Sequence, residues 1–167
     1  MNEALLDHLE VGVLLLDAQQ RIQVWNNWLV RHAGIEEDAA RGALISDIFP
    51  ELRDSRLQRA IEAALAQRMA SLLSPGLNAP LLRLYQRPVD RRDDLRMRQL
   101  IHIVPLKGAE ACLIQITDVT ASARREDQLR NQSAELRDRN YRDTLTGIGN
   151  RRKFDEMMSM EFRRALR

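Results

Sequence analysis

The order of the predicted elements indicates an α+β domain over about residues 10–120, with a five-stranded antiparallel sheet and helices on one of its faces. Three observations predict this class: two strand candidates open the segment, helical signals gather in its middle, and three further strand candidates close it. Short connections between strands favour antiparallel pairing. Helices gathered between two groups of strands then cover one face of the sheet. A long linker helix is predicted after this domain.

The five strands are predicted from apolar runs and from the alternation of apolar and polar side chains. The first two form a hairpin, with Gln20 and Arg21 at a turn position where glycine is common. A charged connection, residues 88–97, precedes the fourth strand. The predicted strands are 11–17, Ile22–Trp25, Leu81–Arg87, Arg98–Leu106 and Ala111–Thr117.

Helical signals fill residues 3–9 and much of 26–74. Apolar residues at helical spacing, with several alanines, predict the longest of these helices from Arg56 to Ser74, and Pro75 follows it. Shorter helical turns are expected at 35–50. The residues with capping or stop chemistry are Asn26 or Asn27, Gly34 and Ser55.

Composition limits the class of protein. The 167 residues are 44% hydrophobic and 30% charged, which suits one globular domain with an appendage. No run of 18 apolar residues predicts a membrane segment, and the N-terminus lacks the features of a secretory signal. The single cysteine, Cys112, excludes a disulfide within the chain, so a reducing, cytoplasmic location is expected.

The net charge of +2 is unevenly distributed. Residues 1–120 carry 14 basic and 16 acidic side chains, whereas residues 121–167 carry 12 basic and 8 acidic ones. Mixed charges of this kind are typical of solvated helical faces. The basic residues are not interleaved with aromatic residues that would stack on bases, so no nucleic-acid partner is expected.

Two stretches of the sequence resemble the PAS family of sensor domains. The hairpin from Leu14 to Asn26 is similar to the opening of these domains, and the Asp-Val-Thr triplet at 118–120 is similar to the one that closes many of them. The resemblance implies a PAS-like fold over residues 10–120, with residues 1–9 as an N-terminal helix or cap.

The closing triplet consists of Asp118, Val119 and Thr120. In PAS proteins it opens the helix that leads to the effector, so the resemblance implies that these residues transmit the state of the sheet. The simpler interpretation is that Asp118 and Thr120 only shape a turn and cap the helix, the Thr120 hydroxyl accepting a hydrogen bond from an unpaired backbone N–H. The two interpretations are compatible.

PAS domains hold haem, flavin, small acids or no ligand. The longest predicted helix has no histidine for haem, and Cys112 lies in a predicted strand rather than in the helical context of a photoreceptor flavin site. His32 and His102 are expected to be hydrogen-bonded or surface histidines. No cofactor is expected; a small-molecule ligand and a ligand-free dimerisation module both stay open. The residues that would line a pocket, or else fill the core, are Trp25, Trp28, Phe49 and Tyr85.

Residues 121–142 contain no glycine or proline and predict a continuous signalling helix of about 33 Å. Leu129 and Leu136 are seven residues apart on one face of it. One interpretation is a solvated single helix. The other is a parallel two-helix linker of a homodimer, weak enough for two registers to be close in energy. The polar residues that would complete its seam are Gln132 or Ser133, and Arg139 or Asn140.

The twelve residues from Asp143 to Phe154 (DTLTGIGNRRKF) resemble the opening signature of the GGDEF family, the diguanylate cyclase domains, with Ile148 at a leucine position. The resemblance implies that residues 143–167 are the truncated start of such a domain. In that family, residues of this motif set the orientation of the domain on its linker. The residues of this chain that are similar to them are Asp143, Leu145, Thr146, Gly147, Asn150, Arg151 and Arg152.

In the GGDEF family, two facing domains each hold one GTP with a divalent metal and condense the two into cyclic di-GMP. The metal-binding aspartates and the G-G-[DE]-E-F loop would lie beyond residue 167. This chain is therefore not expected to be an enzyme, and GTP and Mg²⁺ are expected only in the missing output domain. Phe154, Met158 and Phe162 form an apolar stripe on a predicted helix that packs on a sheet in that family.

Three functions compete at this stage. The first is a cytoplasmic bacterial sensor and homodimerisation module that controls a diguanylate cyclase. The second is a non-enzymatic interaction module whose GGDEF part is degenerate. The third, the input domain of a histidine kinase, is disfavoured because no histidine follows His102 as a phosphoryl acceptor. No motif indicates which signal is sensed, or whether it activates or represses.

Overall fold

The computed structural model describes residues 3–76, 81–141, 154, 158 and 161–164. Two compact units, Met1–Ala123 and Arg124–Arg167, are distinguished by their internal packing. The strands are β1 (Gly12–Asp17), β2 (Ile22–Trp25), β3 (Ser71–Leu73), β4 (Gln99–Pro105) and β5 (Ala111–Asp118). The helices are α1 (Glu3–Leu6), α2 (Asn27–Ala33), α3 (Glu37–Ala40), α4 (Ile45–Ile48), α5 (Arg56–Gln67) and α6 (Thr120–Tyr141), with 3₁₀ turns at Pro50–Leu52 and Pro88–Arg91.

The five strands form one antiparallel sheet in the order β2-β1-β5-β4-β3, which confirms the predicted α+β class. Side chains alternate across this sheet: Ile101 and Ile103 of β4 are fully buried, whereas His102 between them is exposed. Helix α5 packs on β4 and β5, and α2 packs on β1. The helices therefore cover the face that carries the isoleucines.

Helix α5 begins as the sequence predicts and ends earlier. The Ser55 hydroxyl oxygen accepts a hydrogen bond from the backbone N–H of Gln58 at 3.1 Å, which confirms the predicted N-cap. The helix stops at Gln67, not at Ser74, because Arg68 has a left-handed backbone with φ of 56°. The chain then enters β3, a strand that was not predicted. The buried side chains of α5 recur at helical spacing: Leu57, Ala60, Ile61 and Ala64.

The predicted strand Leu81–Arg87 is wrong. Its leucines do alternate, since Leu82 and Leu84 are fully buried. Its backbone, however, bonds to isolated partners rather than to a neighbouring strand: the N–H of Met97 donates to the carbonyl of Leu84, and Leu82 pairs with the side chain of Gln99. Residues 81–97 form an irregular connection between β3 and β4, called the strap from here on.

A buried asparagine joins the N-terminal segment to the core. Asn26 occupies the N-cap position of α2, as predicted, but its side chain does not cap that helix. Its Oδ1 accepts the N–H of Val13 at 3.0 Å, and its Nδ2 donates to the carbonyls of Leu6 and Val11 at 3.0 and 2.9 Å. Because Asn26 is only 2% exposed, these bonds replace water that the amide has lost.

Two glycines have structural roles, one through a close contact and one through its backbone conformation. A Cβ at Gly12 would lie 2.7 Å from the Trp28 ring, so glycine lets β1 approach α2. Gly34 ends α2 with φ of 71°, as predicted from its position.

Replacing Asn26 with alanine is expected to destabilise the fold by about 2–4 kcal/mol. The change leaves the buried N–H of Val13 without its acceptor, which costs on the order of 1–3 kcal/mol. The carbonyls of Leu6 and Val11 each lose a donor at a part-buried position, which adds a smaller cost. Chemical denaturation measures the difference. The control is Asn27→Ala at the adjacent exposed position, where a change within about 0.5 kcal/mol is expected. Equal losses in the two variants would contradict the role given to the Asn26 amide.

Candidate functional site at the start of helix α6

The end of the sheet and the start of α6 are joined by one carboxylate. Asp118 is the last residue of β5, and Thr120 is the first residue of α6. The Oδ1 atom of Asp118 accepts hydrogen bonds from the backbone N–H of Thr120 at 2.9 Å and from its hydroxyl at 2.5 Å. Asp118 therefore satisfies an N–H in the first turn of α6, where a negative charge also interacts favourably with the helix dipole.

Thr120 connects the same helix to a second strand. Its hydroxyl oxygen accepts the backbone N–H of Arg98 at 2.8 Å, and the N–H of Val119 donates to the carbonyl of Arg98 at 2.9 Å. Arg98 directly precedes β4. The Thr120 hydroxyl therefore does accept a backbone N–H, as predicted. The donor, however, is the N–H of Arg98 next to β4, and not an N–H of the helix that Thr120 begins. Thr120 is 5% exposed, so this bond is shielded from water.

A third contact reaches Asp118 from the strap. The Nε2 atom of Gln86 donates to the Oδ2 atom of Asp118 at 2.7 Å. Sequence analysis did not identify Gln86, because a polar residue in a charged segment carries no motif. The junction thus consists of Asp118, Val119 and Thr120, as predicted, together with Arg98 and Gln86.

The four aromatic residues proposed to line a pocket lie in two places. Trp25 and Phe49 contact each other, with ring centroids 6.0 Å apart, and the indole N–H of Trp25 donates to the Ile35 carbonyl. Trp28 packs on the ring of His32 at a centroid distance of 4.3 Å. These three aromatic residues are each 2% exposed and belong to the continuous hydrophobic core. Their role as a ligand pocket stays a prediction.

Tyr85, the fourth candidate, joins the strap to α2. Its backbone N–H donates to the carbonyl of His32 at 3.1 Å, and the Nδ1 of His32 donates back to the Tyr85 carbonyl at 2.7 Å. The Tyr85 hydroxyl donates to Asp94 at 2.5 Å. Burial raises the pKa of this phenol, and the hydrogen bond to the Asp94 carboxylate raises it further.

One arginine forms an ion pair within the strap, and a second joins the strap to α2. Arg96 forms a two-point pair with Asp94, with nitrogen–oxygen distances of 2.9–3.2 Å. This pairing, together with the Tyr85 hydroxyl, lowers the pKa of Asp94 to about 2. Arg91 donates to the Arg31 carbonyl at 3.3 Å and lies against Gly34, at the C-terminal end of α2, where a positive charge is favourable.

The remaining candidate residues have ordinary environments. Cys112 is fully buried in β5, and burial raises the pKa of its thiol to about 11, which suits the predicted role of a small apolar residue. His32 is half-buried and bonded to the strap, and His102 is exposed on the sheet. Across the part of the chain that the structure describes, no group of three or more metal-ligating side chains occurs.

Helix α6 runs from Thr120 to Tyr141 and begins one residue before the predicted start, whereas the predicted end, Arg142, lies outside the described residues. Leu129 is 63% exposed on it, so that side chain is available to a partner. The side chain of Leu136 lies outside the described residues, and so do the GGDEF-like candidates: Asp143, Leu145, Thr146, Gly147, Asn150, Arg151 and Arg152. Over the described ranges, no helix has the length and apolar character needed to cross a membrane.

The model of the PAS fold family matches residues 6–124, which is more than half of the chain. The chain belongs to the PAS family. The match covers the sheet, the helices on its face and the junction at Asp118–Thr120, so it confirms the resemblance drawn from the hairpin and the closing triplet.

Solved structures agree with this fold. The chain is 23% identical to a sensory box sensor histidine kinase from Vibrio cholerae, with a TM-score of 0.52 over 70% of this chain and 87% of that one. It is 15% identical to the photoactive yellow protein domain of the sensor histidine kinase Ppr from Rhodospirillum centenum, with a TM-score of 0.54 over 71% and 94%.

A third structure is the PAS domain of the RpfR quorum-sensing receptor from Cronobacter turicensis, in complex with C12:0. It is 13% identical, with a TM-score of 0.50 over 68% of this chain and 97% of that one. At these identities the likeness concerns the fold alone. No curated protein matched the chain significantly.

Replacing Thr120 with valine is expected to cost about 1–3 kcal/mol of unfolding free energy, because the Arg98 N–H loses its acceptor at a shielded position. Amide exchange at Arg98 is expected to accelerate as well. Thr117→Val, at a half-buried position of β5, is the control and should change stability by about 0.5 kcal/mol or less. If the Arg98 amide stays protected in Thr120→Val, the hydroxyl does not hold the two segments together.

The Asp94 pair is expected to make the stability of the strap depend on pH. Its folded-state pKa of about 2 lies below the ordinary value of 3.8, so its contribution is present above pH 3.8 and is lost as the pH falls towards 2. The difference in unfolding free energy between the wild type and Asp94→Asn should therefore shrink between pH 5 and pH 2. Asp93→Asn is the neighbouring control. A difference that is constant over this range would contradict the pairing.

Proposed function

We propose that this chain is the regulatory sensor and dimerisation module of a cyclic di-GMP signalling protein. Its PAS domain would control a diguanylate cyclase output domain, which converts two GTP into cyclic di-GMP and whose catalytic residues this chain lacks. The observation that carries the proposal is the sequence of residues 143–154, which resembles the GGDEF opening signature at every specified position except Ile148. This segment follows α6 directly, so one helix leads from the PAS domain to it.

The proposed output requires two copies of the chain. Two GGDEF domains must face each other for each GTP to react with the other, so the PAS domain and α6 act as a homodimer. The exposed Leu129 offers an apolar contact on α6, and Leu136 follows it at heptad spacing. Polar residues at the other seam positions keep the pairing weak, which leaves two registers available for a signal to select.

No enzymatic activity is proposed for the 167 residues themselves. Metal-dependent phosphoryl transfer requires carboxylates arranged around the metal and the phosphates. The sequence up to Arg167 contains no G-G-[DE]-E-F loop. GTP and Mg²⁺ would therefore bind only in the output domain.

A ligand-free PAS domain is favoured over one that holds a small molecule. Trp25, Trp28 and Phe49 are packed into the continuous core, and Tyr85 is hydrogen-bonded to His32 and Asp94. The fold is shared with a PAS domain that binds C12:0, so an apolar ligand is the alternative. Native mass spectrometry of the purified chain separates the two: an added mass that is lost on denaturation would favour the ligand.

The proposal is tested with the complete product of the gene. Incubated with GTP and Mg²⁺, that protein is expected to form cyclic di-GMP, detected by chromatography and mass spectrometry. Absence of product, together with a sequence after residue 167 that lacks the loop and the metal-binding aspartates, would overturn the cyclase. It would favour the alternative, a non-enzymatic PAS interaction module with a degenerate GGDEF domain.

The linker is tested by filling its polar seam. In the complete protein, Ser133→Ile combined with Asn140→Leu fills two seam positions that are seven residues apart. It is expected to lock one register and to fix the cyclase rate at one extreme, regardless of signal. Asn131→Ile is the control, because residue 131 lies about 200° around the helix from Leu129. Unchanged activity and an unchanged response in the double variant would contradict a linker with two registers.

A further inference from the structure

Two residues of the strap contact functionally different parts of the fold. The backbone of Tyr85 exchanges two hydrogen bonds with His32, in the last turn of α2. The side chain of Gln86 reaches the Oδ2 atom of Asp118. These two residues are adjacent in sequence, so a displacement of Tyr85 is passed to Gln86 through a single peptide unit, which is planar and stiff.

The rest of the strap restricts how this dipeptide can move. On its N-terminal side, the Arg83 N–H donates to Glu51, and Leu82 forms two bonds with the buried side chain of Gln99. On its C-terminal side, Met97 donates to the Leu84 carbonyl. Because its neighbours are fixed, Tyr85–Gln86 has few arrangements that keep both of its outer contacts.

Asp118 is suited to report such a movement. One of its oxygens holds Gln86, and the other holds both donors of Thr120. A carboxylate is planar and rigid, so rotation that follows Gln86 moves the oxygen that bonds to the first residue of α6. The contact between α2 and the strap is thereby linked to the first turn of α6 through a short chain of directed bonds.

We infer that His32, Tyr85, Gln86 and Asp118 form a relay that couples the C-terminal end of α2 to the first turn of α6, with Gln86 as its positioning residue. The relay supplies a route to α6 that uses only the last residue of β5 and not the length of any strand. It rests on the proposed function only for its consequence, the control of an output domain. Its existence is a property of the PAS domain alone.

Amide hydrogen exchange of the 167-residue chain, read at Thr120 and Ala123, tests this relay. Gln86→Leu is expected to accelerate exchange at both amides about 3- to 10-fold, since a bond to a charged group is lost. His32→Phe keeps an aromatic ring against Trp28 and the backbone bond to Tyr85, but it removes the Nδ1 bond to the Tyr85 carbonyl. It is expected to accelerate the same amides about 2- to 5-fold. Gln67→Leu, at an exposed position at the end of α5, is the matched control.

The decisive measurement is amide exchange in the double variant that combines His32→Phe with Gln86→Leu. If the relay exists, His32→Phe adds little to the exchange rates once Gln86→Leu is present, because both act through one path. The relay is overturned if Gln86→Leu behaves like Gln67→Leu, or if the two effects multiply independently. Neither result depends on an output domain, so failure of the relay and failure of the cyclase proposal remain distinguishable.

Discussion

Two hydrogen bonds join Arg98 to the start of α6, and the position of that helix start depends on them. One runs from the Val119 N–H to the Arg98 carbonyl, and the other from the Arg98 N–H to the Thr120 hydroxyl oxygen. Because Arg98 precedes β4 and Asp118 ends β5, the first turn of α6 is bonded to two neighbouring strands of the sheet. A shift between these strands cannot leave the helix start unchanged, which is what transmission of a signal requires.

The rest of the domain gives this junction a stable frame. Strand β5 is the central strand of the sheet, with β1 on one side and β4 on the other, and α5 and α2 cover the same buried face. The buried Asn26 amide joins the N-terminal segment to that frame through directed bonds, where apolar packing alone would leave the register less defined. The strap contacts the junction directly, through the hydrogen bond from Gln86 to Asp118.

Sequence reasoning found the parts that carry local signals. Alternation identified four strands, hydroxyl chemistry identified the Ser55 cap, and glycine identified the end of α2. It failed where tertiary contacts determine the secondary structure. Helix α5 ends at Gln67 with Arg68, and not glycine or proline, as its C-cap. Strand β3 has only three residues, too few to show an alternation of apolar and polar side chains. The strap resembles a strand because Leu82 and Leu84 alternate, yet its backbone bonds to scattered partners.

In the candidate site too, the residues with a local motif were predicted and their tertiary partners were not. The triplet Asp118-Val119-Thr120 was recognised from its similarity to PAS domains, and it does lie where the sheet meets α6. Its partners Arg98 and Gln86 come from elsewhere in the chain, and only the fold brings them close. For the aromatic residues, composition alone does not distinguish a pocket from a core. The structure places three of them in the core.

The proposed control of an output domain requires that α6 pairs between two copies, because a fixed helix start changes an output only if the helix has a partner to move against. This pairing is measured most directly by pulsed electron paramagnetic resonance on Asn131→Cys carrying a nitroxide. The native Cys112 is buried, with its thiol pKa raised to about 11, so it stays unlabelled. If α6 pairs, dipolar modulation between copies is expected, and it disappears on dilution with unlabelled chain. Modulation no deeper than that of an isolated label, at concentrations where the PAS domains associate, would contradict the pairing.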